Sequence, residues 1–121
     1  MGGLLEGKKV LITGVLDRRS IAFSVAHLAA EQGAEIALSS FGRAMNLTAR
    51  TARRLDPEPP VLKLDVNKPE DIGAVAEDLR ERWGELDGVV HAVAFASEDA
   101  LGGNFLTTEW TSVATSLQTS A

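Results

Sequence analysis

The sequence predicts an α/β fold: a parallel sheet of about four strands with helices on both faces. Short β-rich runs alternate with helical patterns along the chain. The first of these runs, Lys9-Val10-Leu11-Ile12-Thr13, is apolar enough for a strand buried on both sides. The resulting β-α-β-α-β-α-β-α order calls for right-handed crossovers that lay helices over both faces of the sheet.

Gly14 closes the first run, and Ser20 is placed to cap a helix. In that helix Ser24, His27 and Glu31 form the polar side, and Ile21, Ala22, Val25, Ala26, Leu28 and Ala29 cover the rest. Gly33 ends it. Ala34 to Ser39 alternates around Ile36 and Leu38 as a second strand, and a helix from about Arg43 to Leu55 is stopped by Pro57. Val61 to Val66 makes the third strand. Pro69 suits the first position of the next helix, with Glu70 and Asp71 in the turn where the helix dipole favours acids. Ile72, Val75, Ala76, Leu79 and Trp83 mark one face of that helix, and Gly84 closes it. Leu86 to His91 is a fourth strand. A last helix runs from Thr107 onward, with Trp110, Val113 and Leu117 on one side. No strand follows it, so the sheet is expected to be an incomplete Rossmann-like one, residues 1–121 forming the N-terminal part of a single dinucleotide-binding domain.

The chain has 121 residues, which suits one domain. Its composition, 45% hydrophobic and 24% charged, is that of a globular protein. The absence of cysteine excludes disulfides and thiolate metal sites, and two histidines far apart give no ligand spacing; no metal is expected. Neither a membrane-spanning run nor a secretory leader is evident, and Glu6 spoils a myristoylation pattern at Met1-Gly2. A cytoplasmic protein is the expectation. Charge is uneven. Residues 1–60 carry 8 basic and 6 acidic side chains, and residues 61–121 carry 4 and 11. That is not a nucleic-acid footprint, and pairs such as Glu77 with Arg80 or Asp78 with Arg82 have the spacing of a solvated helix face.

In open parallel sheets ligands bind at the carboxyl ends of the strands, which directs attention to residues 14–21, Phe41, Asp65-Val66 and 93–96. A glycine directly after the first strand lets backbone approach a pyrophosphate, and free amides at a helix N-terminus meet its charge. Gly14 and Ser20 fit equally an ordinary crossover turn with a capping serine, because residues 15–20 contain no second glycine of the dinucleotide fingerprint. Phe41 suits either stacking on an adenine or covering a sheet edge. Asp65 suits an adenine amino group or a turn before a helix. Arg43, near Phe41, raises the question of a 2′-phosphate but suits a solvated helix position equally.

Several segments together resemble one family. Gly14-Val15-Leu16-Asp17-Arg18-Arg19-Ser20-Ile21-Ala22 is similar to the G-x5-S-I-A loop of bacterial enoyl-acyl carrier protein reductases, a branch of the short-chain dehydrogenases. Leu5-Glu6-Gly7-Lys8-Lys9, Glu31-Gln32-Gly33-Ala34, Leu64-Asp65-Val66, Leu86 to His91 and Asp99 to Phe105 follow in the matching order. Phe41 and Gly102-Gly103-Asn104-Phe105 resemble the actinobacterial, NADH-using branch most closely. The resemblance implies NADH as cofactor. Gly14, Ser20 and Ile21 would contact its pyrophosphate and ribose, Phe41 would line the adenine, and Asp65 and Val66 would hold the adenine ring. Val93 would lie near the nicotinamide ribose, and Ala96 at the start of the acyl pocket.

The implied reaction is hydride transfer to the β-carbon of a trans-2-enoyl thioester on acyl carrier protein, in fatty acid synthesis, by a homotetramer. No residue here is assigned a catalytic role. The family's catalytic tyrosine and lysine would lie beyond the position matching Ala121, and this chain has no tyrosine; Lys8, Lys9, Lys63 and Lys68 all fall away from the motif. An inactive piece prone to poor solubility or self-association is expected. Ala92 and Ala94 also depart from the family's usual His-Ser-Ile-Gly-Phe, and the Ala94 methyl is expected to weaken cofactor approach. A non-catalytic nucleotide-binding or interaction module, or another short-chain dehydrogenase, stands as the alternative, since fold alone does not separate them.

Overall fold

The structure, a computed structural model, describes residues 3–103 and 105–121. Met1-Gly2 and Asn104 lie outside the described residues. Four strands, β1 (Lys9–Ile12), β2 (Glu35–Ser40), β3 (Val61–Lys63) and β4 (Gly88–Val90), form one sheet. All pairings are parallel and the spatial order is β3-β2-β1-β4. The intervening helices are α1 (Ile21–Glu31), α2 (Ala44–Ala52) and α3 (Pro69–Trp83), and α4 (Trp110–Ser120) follows β4. This is the expected Rossmann-like arrangement, with most boundaries shortened by a few residues.

Alternation along the strands splits the core in two. Ile12, Ile36 and Leu38 face one side, where they pack with Ala22, Ala26 and Ala29 of α1 and with Ala52 and Leu55. Leu11 and Ala37 face the other, against Leu62, Leu64 and Val75 and Leu79 of α3. Helix α1 therefore meets the sheet through three alanines at i, i+4 and i+7, whose small side chains permit close approach. That contact is narrower than the sequence suggests: Ile21 is 82% exposed and Leu28 also turns outward. In α3 the buried stripe is Asp71, Val75 and Leu79, with Trp83 half-buried. Ile72 and Ala76, expected on the buried face, lie on the exposed flank because the helix axis is rotated toward Asp71, whose carboxylate accepts the Asp65 N–H.

The last strand and helix also differ from expectation. β4 begins at Gly88 because Asp87 is used as an anchor: its carboxylate accepts the Lys9 N–H, and its own N–H donates to the Lys9 carbonyl, both at 2.8 Å. Helix α4 starts three residues late, after a 3₁₀ turn at Phe105–Thr107. Trp110 is 71% exposed and Leu117 is exposed too, so of the apolar side read from the sequence only Val113 is partly covered among the described residues.

Among the described residues β4 is an edge, paired only with β1, and its middle residue Val89 is 55% exposed. A regular parallel edge with an apolar side chain is a template for further strand pairing. We expect the 121-residue chain to self-associate in a concentration-dependent way, and Val89→Lys to shift it toward monomer in sedimentation velocity. A wild-type chain that stays monomeric across the concentration range would contradict this.

Candidate functional site

The sheet order creates a crevice. From β1 the chain passes to β2 and β3 on one side, then returns to β4 on the other, so the loops leaving β1 and β4 diverge. A cleft of about 340 Å³ lies there, lined by Gly14, Val15 and Leu16 after β1, Ser39, Ser40, Phe41 and Ala44 around the end of β2, Leu64 after β3, and Ala92, Val93 and Ala94 after β4. It is mostly apolar, with the half-exposed Phe41 ring available to a planar group.

The two diverging loops are held together by Thr13, a residue the sequence reading passed over. Its side chain is almost fully buried. Both its N–H and its hydroxyl donate to the Val90 carbonyl, at 3.0 and 3.1 Å, and the hydroxyl oxygen accepts the Ala92 N–H at 2.9 Å. The side chain thus extends the β1–β4 pairing past the last regular ladder bond. Gly14 follows with φ +81°, and a Cβ there would lie 2.1 Å from the Ala92 carbonyl oxygen. The glycine is therefore required by the β4 exit as well as by its own backbone conformation.

The loop from Val15 to Ser20 is tied down from α2. Thr48 donates to the Val15 carbonyl at 2.6 Å, and the Thr51 hydroxyl lies within hydrogen-bonding distance of the Leu16 and Leu47 carbonyls, at 3.0 and 2.9 Å. Both threonines are buried. Ser20 caps α1 as expected: its hydroxyl accepts the Phe23 N–H at 3.3 Å and donates to the Asp17 carbonyl at 2.7 Å. The Ile21 and Ala22 amides make no hydrogen bond among the described residues, and they form the positive end of the helix.

Of the residues singled out in the sequence, the cleft brings together Gly14, Phe41 and Val93. Ser20 and Ile21 sit at the head of α1 outside its lining, as do Asp65, Val66 and Ala96. Asp65 immediately follows the lining residue Leu64, and one of its carboxylate oxygens accepts the Asn67 N–H at 3.0 Å, a turn role. Asn67 in turn donates to the Thr119 hydroxyl, which pins α4 beside this corner. His27 is exposed, 3.6 Å from Glu31, as a solvated helix residue should be.

Residues 14–121 match the family model described as Enoyl-(Acyl carrier protein) reductase. The chain belongs to this family. It is 42% identical over 107 residues to the enoyl-acyl-carrier-protein reductase (NADH) of Mycolicibacterium smegmatis, covering 86% of this chain and 39% of that one. To the corresponding protein of Neisseria meningitidis serogroup B it is 43% identical over 105 residues, covering 86% and 40%. A crystal structure of the Anaplasma phagocytophilum reductase in complex with NAD superposes with a TM-score of 0.89 at 34% identity, over 98% of this chain and 45% of that one. The chain thus spans about two fifths of the length of these curated relatives. The mycobacterial and neisserial identities are nearly equal, so they do not single out the actinobacterial branch.

After the lining residues Ala92, Val93 and Ala94 the chain runs on to α4. Phe95 donates its N–H to the Ser120 hydroxyl at 3.0 Å, which holds the segment against the end of α4. Further along, hydrogen bonds from the Ser97 hydroxyl and then the Ser112 hydroxyl hold the exposed Asp99 carboxyl below the ordinary carboxylate pKa of 3.8.

Two outcomes follow. Thr13→Val keeps the shape but leaves the Ala92 N–H without its acceptor; it should cost about 1–2 kcal/mol, read as a lower urea midpoint with unchanged slope. For Asp99 the folded-state pKa is depressed, so its contribution is present above the unfolded-state pKa and lost as pH falls through the folded one. Ser97→Ala should raise the carboxyl's pKa toward its ordinary value, observed by side-chain ¹³C NMR titration.

Proposed function

We propose that these residues form the NADH-binding portion of an enoyl-acyl carrier protein reductase, an enzyme reducing trans-2-enoyl thioesters carried on acyl carrier protein. The single observation behind this is the cleft at the divergence of the β1 and β4 loops, where Gly14, Phe41 and Val93 converge. The names of the relatives and the NAD in the Anaplasma structure support the choice of cofactor.

The residues suit such a cofactor chemically. Gly14 lets the β1 loop pack against Ala92 on one wall of the cleft, and the Ile21 and Ala22 amides at the positive end of α1, unpaired among the described residues, suit a pyrophosphate. Ser20 orients that end by capping it, so its part is to fix the amides as much as to touch the ribose. Phe41 offers a face to the adenine, Asp65 and Val66 its edge, and Val93 a wall along the nicotinamide ribose. Ala96 would open the acyl pocket. The bound nicotinamide supplies the hydride for the substrate β-carbon. What these residues contribute is a fixed position for it and an apolar wall that keeps water away. No tyrosine is present to donate a proton or stabilise an oxyanion, so the 121 residues alone bind without turning over.

Titration with NADH, followed by the cofactor's fluorescence, should give saturable binding. Phe41→Ala should weaken it by about 1 kcal/mol, roughly fivefold in Kd. An enoyl thioester added to these residues with NADH should leave the absorbance of the reduced cofactor unchanged. Turnover there would refute the assignment of these residues to binding alone, and absence of NADH binding would refute the cofactor.

A further inference from the structure

A second cleft, of about 300 Å³, shares no lining residue with the first. It opens between the next part of the β1–α1 loop and α2, and four arginines converge on it: Arg18 and Arg19 from the loop, Arg50 and Arg54 from successive turns of α2 and its end. One carboxylate, Asp17, stands among them. It lies 3.7 Å from the Arg19 guanidinium and also accepts the Arg19 N–H at 2.8 Å, so its capacity goes to a single partner. Among the described residues Arg18, Arg50 and Arg54 make no ion pair with a carboxylate. No acid occurs between Glu35 and Asp56, although the whole chain carries a net charge of −5.

This concentration of positive charge is therefore local and set by the backbone. The β1–α1 loop is fastened to α2 by Thr51, whose hydroxyl bonds the Leu16 carbonyl, and that fastening keeps the two pairs of arginines on the lining of one cleft. Guanidinium groups are planar forks that hold phosphate oxygens through two parallel hydrogen bonds, and they keep their charge at any physiological pH. Their mutual repulsion falls when a multiply charged anion sits between them.

We propose that this cleft binds a diphosphate group, at a site separate from the cofactor cleft. It reads charge and phosphate geometry, not a base or a sugar. A free pyrophosphate and the terminal diphosphate of a larger molecule share that chemistry.

The test uses the 121-residue chain and inorganic pyrophosphate at fixed ionic strength, observed by ³¹P NMR and calorimetry. Saturable one-to-one binding is expected, weakening as salt is raised. The double variant Arg50→Gln/Arg54→Gln should bind at least tenfold more weakly with unchanged circular dichroism and unchanged NADH affinity. Arg18→Gln/Arg19→Gln, cutting the opposite wall, should show the same loss, and Arg50→Lys/Arg54→Lys should retain part of the binding. Methyl diphosphate distinguishes the sources: equal affinity supports a terminal diphosphate as the natural ligand, and much weaker binding supports the free anion. Response to ionic strength alone, or pyrophosphate binding unaltered in both glutamine variants, would overturn the site. So would a parallel loss of NADH affinity, which would make these arginines part of the cofactor cleft. Loss of NADH binding by the wild type with pyrophosphate binding intact would overturn the cofactor reading and leave this one standing.

Discussion

The hydroxyl of Thr13 holds the rest of the site in place. β1 has only four residues, and its ladder to β4 runs out where the two chains must part to make a crevice. By bonding both the Val90 carbonyl and the Ala92 amide, Thr13 carries the pairing one step beyond the sheet. Gly14 can then turn away while still touching Ala92, so the crevice begins at a defined point. The β4 side of the cleft, Ala92 to Ala94, has its position because of that junction.

The opposite wall is fixed in a different way. Two buried threonines of α2 satisfy the carbonyls of Val15 and Leu16, which would otherwise be polar groups in a largely apolar setting. A loop held by its carbonyls keeps its shape without a ligand, and the cap at Ser20 sets where helix α1 begins. Positioning here rests on neutral hydroxyls, not on ion pairs. Among the described residues, the exposed ion pairs of α3, Glu77 with Arg80 and Asp78 with Arg82, contribute little to stability.

Much of this was legible in the sequence. Strand and helix order came from periodicity, the ends of α1 and α3 from Ser20, Gly33, Pro69 and Gly84, and the cleft's place from the rule that ligands meet strand carboxyl ends. Thr13, Thr48 and Thr51 were not legible, because a threonine at the end of a strand or in a helix looks the same whether its hydroxyl meets solvent or a carbonyl 33 to 77 residues away. The convergence of Arg18 and Arg19 with Arg50 and Arg54 was hidden for the same reason. Each pair reads as an exposed helix or loop surface, and only the fold puts them in one cleft. The rotation of α3 was missed because Asp71, an acid well suited to the first turn, is in fact a buried acceptor for the Asp65 amide.

The Thr13 to Ala92 bond joins residues 79 positions apart, the Lys9 to Asp87 bond 78. During synthesis, at about 5–20 residues per second, β1 would wait on the order of 4–16 s for its outer neighbour to be made. Through that interval β1, β2 and β3 can already associate, with β1 as a temporary edge. The crevice thus forms only after β1 to β3 have associated, and the step that forms it is a long-range closure, slow by the same reasoning that makes non-local sheets slow folders. Order of manufacture and order of assembly coincide for these strands: β1, β2 and β3 come first, and the β4 side of the crevice comes after them.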